Sequence, residues 1–265
     1  MKELNIGIIG YGGRLKNVSK MLRKFGIPMK IGAVADPRVH ELSASNDEHL
    51  KGTKFYAGAD SMLKNEKFDG IMVGTPCVLH TEMAIKAAKH KVPLFLEKPV
   101  SVNYEQLRRL EKAFKNFKAP TVVSFPLRLS PLVTRAKEII AEGLIGTVEN
   151  FNGFNDVPYG DCYFYGWGRI WESVGGLWLQ KATHDLDYIT YILEQKPVRI
   201  AAMNSRRIYK GDKPYELVCS KCKEAENCQE SPYNFFYSRR VVDAERMNKA
   251  KLCVFSKGIK NEDSG

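Results

Sequence analysis

The sequence has no apolar run approaching the ~18 residues that a membrane-spanning helix needs, so a membrane partner is not expected. The segment after Met1 has no long apolar stretch ending in small residues, so no secretory signal is expected. No block of like charge stands alone. Basic residues interleave with acids, as in Arg108-Arg109-Leu110-Glu111-Lys112, which argues against a nucleic-acid arm. There is no internal repeat. The composition is not that of a disordered chain, because 44% of residues are hydrophobic and 27% charged. These absences leave a globular, cytoplasmic chain with no nucleic-acid or membrane partner as the expectation. The net charge of +11 reads as a solvated basic surface, part of which an anionic cofactor would use.

At 265 residues the chain has the length at which a single hydrophobic core divides in two. Short apolar runs alternate with helical patterns through the first half. Strands are expected at 4–9, 30–35, 54–56, 68–74, 93–96 and 121–125. Helices are expected at 15–25, 38–50, from Ser61 with Asp60 as its cap, 80–90 and 103–117. That alternation predicts a parallel sheet covered on both faces. A dinucleotide-binding domain of this kind is expected over 1–123, and a second, substrate-binding domain over 124–265. The second half is expected to hold helices at 131–142 and 177–193, strands at 147–154 and near 198–205, and a Gly-, Tyr- and Trp-rich loop at 155–173.

Gly10-Tyr11-Gly12-Gly13-Arg14-Leu15 closes the first strand and opens a helix. It supplies the first two glycines of a G-x-G-x-x-G turn and has Leu15 in place of the third. The first glycine permits the tight turn and the second lets backbone approach a pyrophosphate at the helix N-terminus. The third normally lets helix and sheet pack closely, so Leu15 implies a slightly shifted helix. Asp36 ends the second strand, where an acid accepts hydrogen bonds from an adenosine ribose. It would repel a 2′-phosphate, which favours NAD over NADP, with Arg38 partly offsetting that preference. Read without that context, Asp36 is a turn residue before Pro37.

Two further segments sit at carboxyl ends of parallel strands, where open α/β sheets bind ligands. They are Gly74-Thr75-Pro76 with His80, and Glu97-Lys98-Pro99. Together with GIIGYGGR at 7–14, VADP at 34–37 and GGLWLQKATHDLD at 175–187, they resemble the Gfo/Idh/MocA oxidoreductase family. The resemblance implies a Rossmann domain, then an α+β domain with an open, mainly antiparallel sheet, with a nicotinamide cofactor between them. It implies a sugar, inositol or related polyol as substrate. Lys98 matches the family lysine that contacts substrate and helps move the proton, and His184 matches the active-site histidine. Thr75, Pro76 and His80 match the segment beside the nicotinamide. Gly10, Tyr11, Gly12, Gly13, Arg14, Asp36 and Glu97 complete the cofactor set.

The chemistry agrees with these roles. Oxidising an alcohol removes a hydride from carbon and a proton from oxygen. The cofactor takes the hydride, and a side chain must take the proton. Histidine titrates near neutrality, and lysine does so when burial or another cation lowers its pKa. Glu97 points away from Lys98 on a strand and is expected to anchor the turn. Many family members have an aspartate four residues before the histidine, where this chain has Gln180, which can hydrogen-bond a hydroxyl but cannot act as a base. Gln180 at i−4 and Asp187 at i+3 from His184 are candidate substrate-binding residues on one helix face, with Arg128 a fourth position beside Lys98. Gln180 keeps open a redox-neutral use of the nicotinamide, as in glycoside cleavage. A non-catalytic dinucleotide sensor is a further alternative, because fold alone does not decide function, and Lys98 with His184 argue against it. Tyr163, Tyr165, Trp167 and Trp171 are packing residues or a platform for a sugar ring.

Six cysteines are present, and in a reducing compartment they are expected as thiols. Cys219, Cys222, Cys228 and Cys253 have a spacing that can hold a structural zinc. The chain stops at Gly265, short of the usual family length, so the second domain reads as incomplete. A homo-oligomer is expected where that domain is full.

Overall fold

The computed structural model describes residues 2–155, 168, 170–205, 213–214, 217–228 and 231. The chain divides into two compact units, Met1–Arg135 and Ala136–Gly265.

The first unit is a six-stranded, wholly parallel sheet in the order β3-β2-β1-β4-β5-β6. Its strands are β1 (Leu4–Ile9), β2 (Met29–Ala35), β3 (Lys54–Tyr56), β4 (Gly70–Val73), β5 (Leu94–Leu96) and β6 (Thr121–Val123). The helices are α1 (Gly13–Lys24), α2 (Val39–Ser43), α3 (Ala59–Asn65), α4 (His80–Ala88) and α5 (Tyr104–Phe114). Side chains alternate across each strand and so build two cores. Ile8, Val34 and Met72 face one side, where they pack with Leu15, Val18 and Leu22 of α1 and Leu42 of α2. Ile9, Ala33, Ala35, Ile71, Val73, Leu94 and Leu96 face the other, with Met62 of α3, Ala84 and Ala87 of α4, and Leu110 and Phe114 of α5. Both faces are buried, which is why these strands read as continuous apolar runs. The strand order reverses between β1 and β4, and that crevice is where doubly wound sheets place ligands.

Two expectations for this unit need correction. The stretch 38–50 is not one helix. It breaks into α2 and a 3₁₀ turn at Glu48–Leu50, because Asp47 Oδ1 accepts the His49 N–H at 3.2 Å and starts a new turn. Asp60 is not a cap: α3 begins at Ala59 with Gly58 before it, and Asp60 accepts from Lys86 Nζ at 2.7 Å.

Helix α6 (Pro131–Ala141) begins in the first unit and ends in the second. The second unit then shows α7 (Trp171–Val174), a π-turn (Trp178–Ala182) and α8 (Thr183–Leu193). The helix expected over 177–193 is present, with Trp178–Ala182 wound as a π segment. Gly175 and Gly176 both adopt positive φ, 69° and 83°, and a Cβ on Gly176 would lie 2.4 Å from the Trp171 ring. The described residues of the expected strands at 147–154 and 198–205 join no ladder. A strand is held by hydrogen bonds to a neighbour, and none pairs with them among the described residues. Most of the aromatic loop, including Tyr163, Tyr165 and Trp167, lies outside the described residues.

Candidate dinucleotide site at the carboxyl edge of the parallel sheet

The loops at the carboxyl edge continue the sheet's hydrogen-bond ladder. Gly10 N–H donates to Ala35 O at 2.8 Å, Gly74 N–H to Ile9 O at 2.9 Å, Glu97 N–H to Val73 O at 3.0 Å and Ser124 N–H to Leu96 O at 2.9 Å. Four loops from four strands are thereby fixed as one rim. Gly10 sits at φ +83°, and a Cβ there would lie 2.8 Å from Thr75 N and 2.9 Å from Gly74 C. Only glycine satisfies both constraints. Gly12 and Gly13 differ: a Cβ on either would meet nothing within 4 Å. Gly12 precedes α1 with no side-chain cap. The backbone at the start of α1 thus faces open space, with N–H groups that lack helical partners. That is the cradle a pyrophosphate requires, and the residues present fit a dinucleotide.

Leu15 is accommodated on the strand side. A Cβ on Gly74 would lie 2.4 Å from Leu15 Cγ and 2.7 Å from Leu15 Cδ1. Gly74 at the end of β4 supplies the space that the third glycine of the turn normally leaves on the helix. Leu15 itself is fully buried. Gly74, which follows β4 in VGTP, was the signal in the sequence for this exchange.

Asp36 lies under the turn and is buried. Its Oδ2 accepts the Tyr11 N–H at 3.0 Å and Arg38 Nη2 at 3.0 Å. Its Oδ1 accepts the Arg38 N–H and Arg38 Nε, each at 3.0 Å. Arg38 Nη2 also donates to Tyr11 O at 3.1 Å. Burial alone would raise the Asp36 pKa, but the bonds from Arg38 and Tyr11 outweigh it and hold the carboxyl below its ordinary range. Tyr11 is buried beside Lys16 and Asp47, which pair at 2.8 Å. Burial, then the Asp47 charge, push its phenol pKa up.

Arg14 does not stand free for a phosphate. Its Nε donates to buried Glu97 Oε1 at 3.0 Å and its Nη2 to Ser124 Oγ at 3.2 Å. The glycine turn is thereby tied to the ends of β5 and β6, and Glu97 anchors the turn through Arg14. Spacing alone gave no sign of the Ser124 contact.

His80 is 2% exposed. Its Nδ1 lies 2.7 Å from Pro99 O and its Nε2 2.7 Å from Thr75 O. Both ring nitrogens lie against backbone carbonyls, and the ring ties the Thr75 loop to the Lys98 loop. Burial pushes the imidazole pKa down, against the two carbonyls and the Glu97 charge, which favour the proton. Thr75 Oγ1 is buried without a hydrogen-bond partner among the described residues. Pro76 is exposed. Lys98 follows β5, half-buried, and its charge acts on the buried Cys77 thiol and on His80. Arg128 lies on the 3₁₀ turn Pro126–Leu129, its guanidinium carbon 5.8 Å from the centroid of the Phe125 ring.

In the second unit Gln180 is buried within the π-turn, and half-buried His184 and Asp187 follow at i, i+3 on α8. A π-turn inside a helical run is frequent at functional sites, and no periodicity in the sequence announces it. Asp185, on which no role was placed, accepts from Asn155 Nδ2 at 2.5 Å. Cys219 and Cys222 stand at the start and just past the end of a 3₁₀ turn, Cys219–Lys221. No group of three or more His, Cys, Asp or Glu is arranged to hold a metal among the described residues. The expected zinc site therefore finds no support in Cys219, Cys222 and Cys228, and Cys253 lies outside the described residues. No helix among the described residues is long and apolar enough to cross a membrane.

Comparison with known proteins agrees with this geometry. Residues 4–125 match the oxidoreductase family with an NAD-binding Rossmann fold, and residues 133–226 match the GFO/IDH/MocA C-terminal domain. The chain belongs to the Gfo/Idh/MocA family. Its first unit is the family's NAD-binding Rossmann fold. Among the relatives, the myo-inositol 2-dehydrogenase of Thermotoga maritima is 25% identical over 206 residues, 76% of this chain and 58% of that protein. The 2,7-anhydro-N-acetylneuraminate hydratase of Escherichia coli is 25% identical over 208 residues, 78% of this chain and 54% of that protein. The crystal structure of myo-inositol 2-dehydrogenase from Lactobacillus plantarum superposes with a TM-score of 0.66 at 24% identity, covering 74% of this chain and 58% of that one. The chain thus spans somewhat more than half the length of these relatives.

Proposed function

We propose that the chain acts as an NAD(P)-dependent oxidoreductase that moves a hydride between nicotinamide and a CH–OH group of a sugar, inositol or related polyol. The observation that carries this reading is the open glycine cradle at the start of α1, on the same rim as Lys98. The family membership and the dehydrogenase named among the relatives support it. When bound, the nicotinamide supplies the hydride acceptor. The chain's residues do the rest. Gly12, Gly13 and the first N–H groups of α1 bind the pyrophosphate. Asp36 and Arg38 face the adenosine end, and Thr75 and Pro76 flank the nicotinamide end. Lys98 takes the hydroxyl proton as the C–H hydride leaves and returns it in reduction, and the Thr75–His80–Pro99 bridge holds its loop in place. His184, Gln180, Asp187 and Arg128 orient the polyol hydroxyls, with His184 a second proton carrier. The same proposal includes an open, mainly antiparallel sheet in the second domain, assembly as a homo-oligomer, and a cytoplasmic location.

A second reading, redox-neutral chemistry through transient oxidation, is favoured by Gln180 at the usual aspartate position and by the hydratase among the relatives. Lys98→Met, assayed with NAD and a panel of polyols, tests the main reading. Turnover is expected to fall at least about 100-fold, the lower end for general acid–base catalysis, while dinucleotide affinity holds. Unchanged turnover would remove Lys98 from the mechanism. Substrate consumed with no net NADH would favour the redox-neutral route.

A further inference from the structure

The acceptor count at Asp36 bears on which dinucleotide binds. A carboxylate offers about four lone-pair positions. Asp36 receives four hydrogen bonds, one from Tyr11 and three from Arg38. No position remains for the hydroxyls of an adenosine ribose while Arg38 stays where it is. The guanidinium lies beside both carboxylate oxygens in a fork, Nε to Oδ1 and Nη2 to Oδ2, which is the strong geometry for such a pair. Its third nitrogen, Nη1, makes no hydrogen bond among the described residues, and the Arg38 side chain is 47% exposed. A carboxylate forked to a half-exposed guanidinium therefore stands at the end of β2, the position at which this fold recognises the ribose. The charged groups acting at Arg38 are Asp36 and Glu41, and both favour its cationic form.

We infer that Arg38 sets the cofactor preference, by closing Asp36 to the ribose hydroxyls and offering Nη1 to a 2′-phosphate, so that NADP(H) binds at least as tightly as NAD(H). This rests on the dinucleotide-site reading above. It reverses the preference that Asp36 alone would impose, because an acid saturated by a guanidinium no longer repels a phosphate as a bare acid does. Removing the guanidinium reopens Asp36 to ribose hydroxyls and restores that repulsion.

The test is calorimetric titration of the full chain with NADH and with NADPH, for the wild type, Arg38→Ala and Asp36→Asn. The wild type is expected to bind NADPH with a Kd equal to or below that for NADH. Arg38→Ala is expected to weaken NADPH by about 10- to 100-fold, the range for losing a hydrogen bond to a charged group, while NADH binding holds or tightens. Asp36→Asn keeps the guanidinium and is expected to hold or tighten NADPH, which keeps the inference falsifiable if Arg38→Ala does not fold. A merely structural role for Arg38 would weaken both dinucleotides alike. An unchanged NADPH-to-NADH ratio in Arg38→Ala, a ratio shifted toward NADH in Asp36→Asn, or a wild type that binds NADH more tightly than NADPH would overturn the inference and leave the dinucleotide site standing. Absence of binding by either dinucleotide in the wild type would overturn both.

Discussion

Gly74→Ala tests how the fold tolerates Leu15 in its glycine turn. Gly74 does not adopt positive φ, so alanine costs nothing in backbone conformation and its effect is steric. The new methyl would lie 2.4 Å from Leu15 Cγ and 2.7 Å from Cδ1, both well inside contact distance. Leu15 is fully buried. Overpacking of this kind costs about 1–3 kcal/mol. Leu15→Ala alone opens a cavity at a cost of about 2–5 kcal/mol. The double substitution adds a methyl on the loop after β4 and fills part of that cavity. Its cost is therefore expected to fall short of the additive value by at least about 1 kcal/mol, within the range for side chains in contact. Trp167, Trp171 and Trp178 all lie outside the first unit, so tryptophan emission does not report on it. The assay is hydrogen–deuterium exchange of the β1 and β4 peptides in graded urea. Strict additivity would refute the claim that Gly74 replaces the missing third glycine.

Other predictions follow from the rim. Neutral His80 has one N–H to donate, to Pro99 O or Thr75 O, so His80→Phe orphans one carbonyl and is expected to cost about 1–3 kcal/mol by urea unfolding. His80→Gln should recover part of that loss, and equal loss in both would show that ring packing, not the bridge, matters. The Asp36 and Asp47 carboxyls are both held below their ordinary range, because bonds from Arg38 and Lys16 outweigh burial. A carboxyl depressed in the folded state contributes stability that is present above its unfolded pKa and is lost as pH falls through the folded one. Urea midpoints should therefore decline from the ordinary carboxylate range downward, and Arg38→Ala should decline less steeply. An identical acid limb would show that the Arg38 pair adds no pH-dependent stability.

The parallel sheet was legible because its strands are buried on both faces and its turns carry their own chemistry. Gly10 and the run ending at Val73 marked the carboxyl edge without any contact information. The chemistry between loops was not legible. Nothing in the spacing says that His80 spends both nitrogens on carbonyls 5 and 19 residues away, or that Arg14 reaches Glu97, 83 residues on. Both residues lie in segments that the family resemblance assigns to the cofactor. Arg38 was visible as a neighbour of Asp36, but its occupation of the carboxylate depends on the backbone reversal at Pro37. The π-turn around Gln180 was hidden because its residues fit a helical period well enough. The strands expected at 147–154 and 198–205 depended on partners that a local pattern does not name.

The most direct test of the central claim is a calorimetric titration of the wild type and Gly12→Ala with NADH and NADPH. A Cβ at Gly12 meets nothing within 4 Å, so the variant is expected to unfold at the wild-type urea midpoint. The same methyl occupies the cradle, so affinity for both dinucleotides is expected to fall at least about tenfold from saturable, one-site binding in the wild type. Equal affinity in the variant, or no binding by the wild type, would contradict a dinucleotide site at this turn.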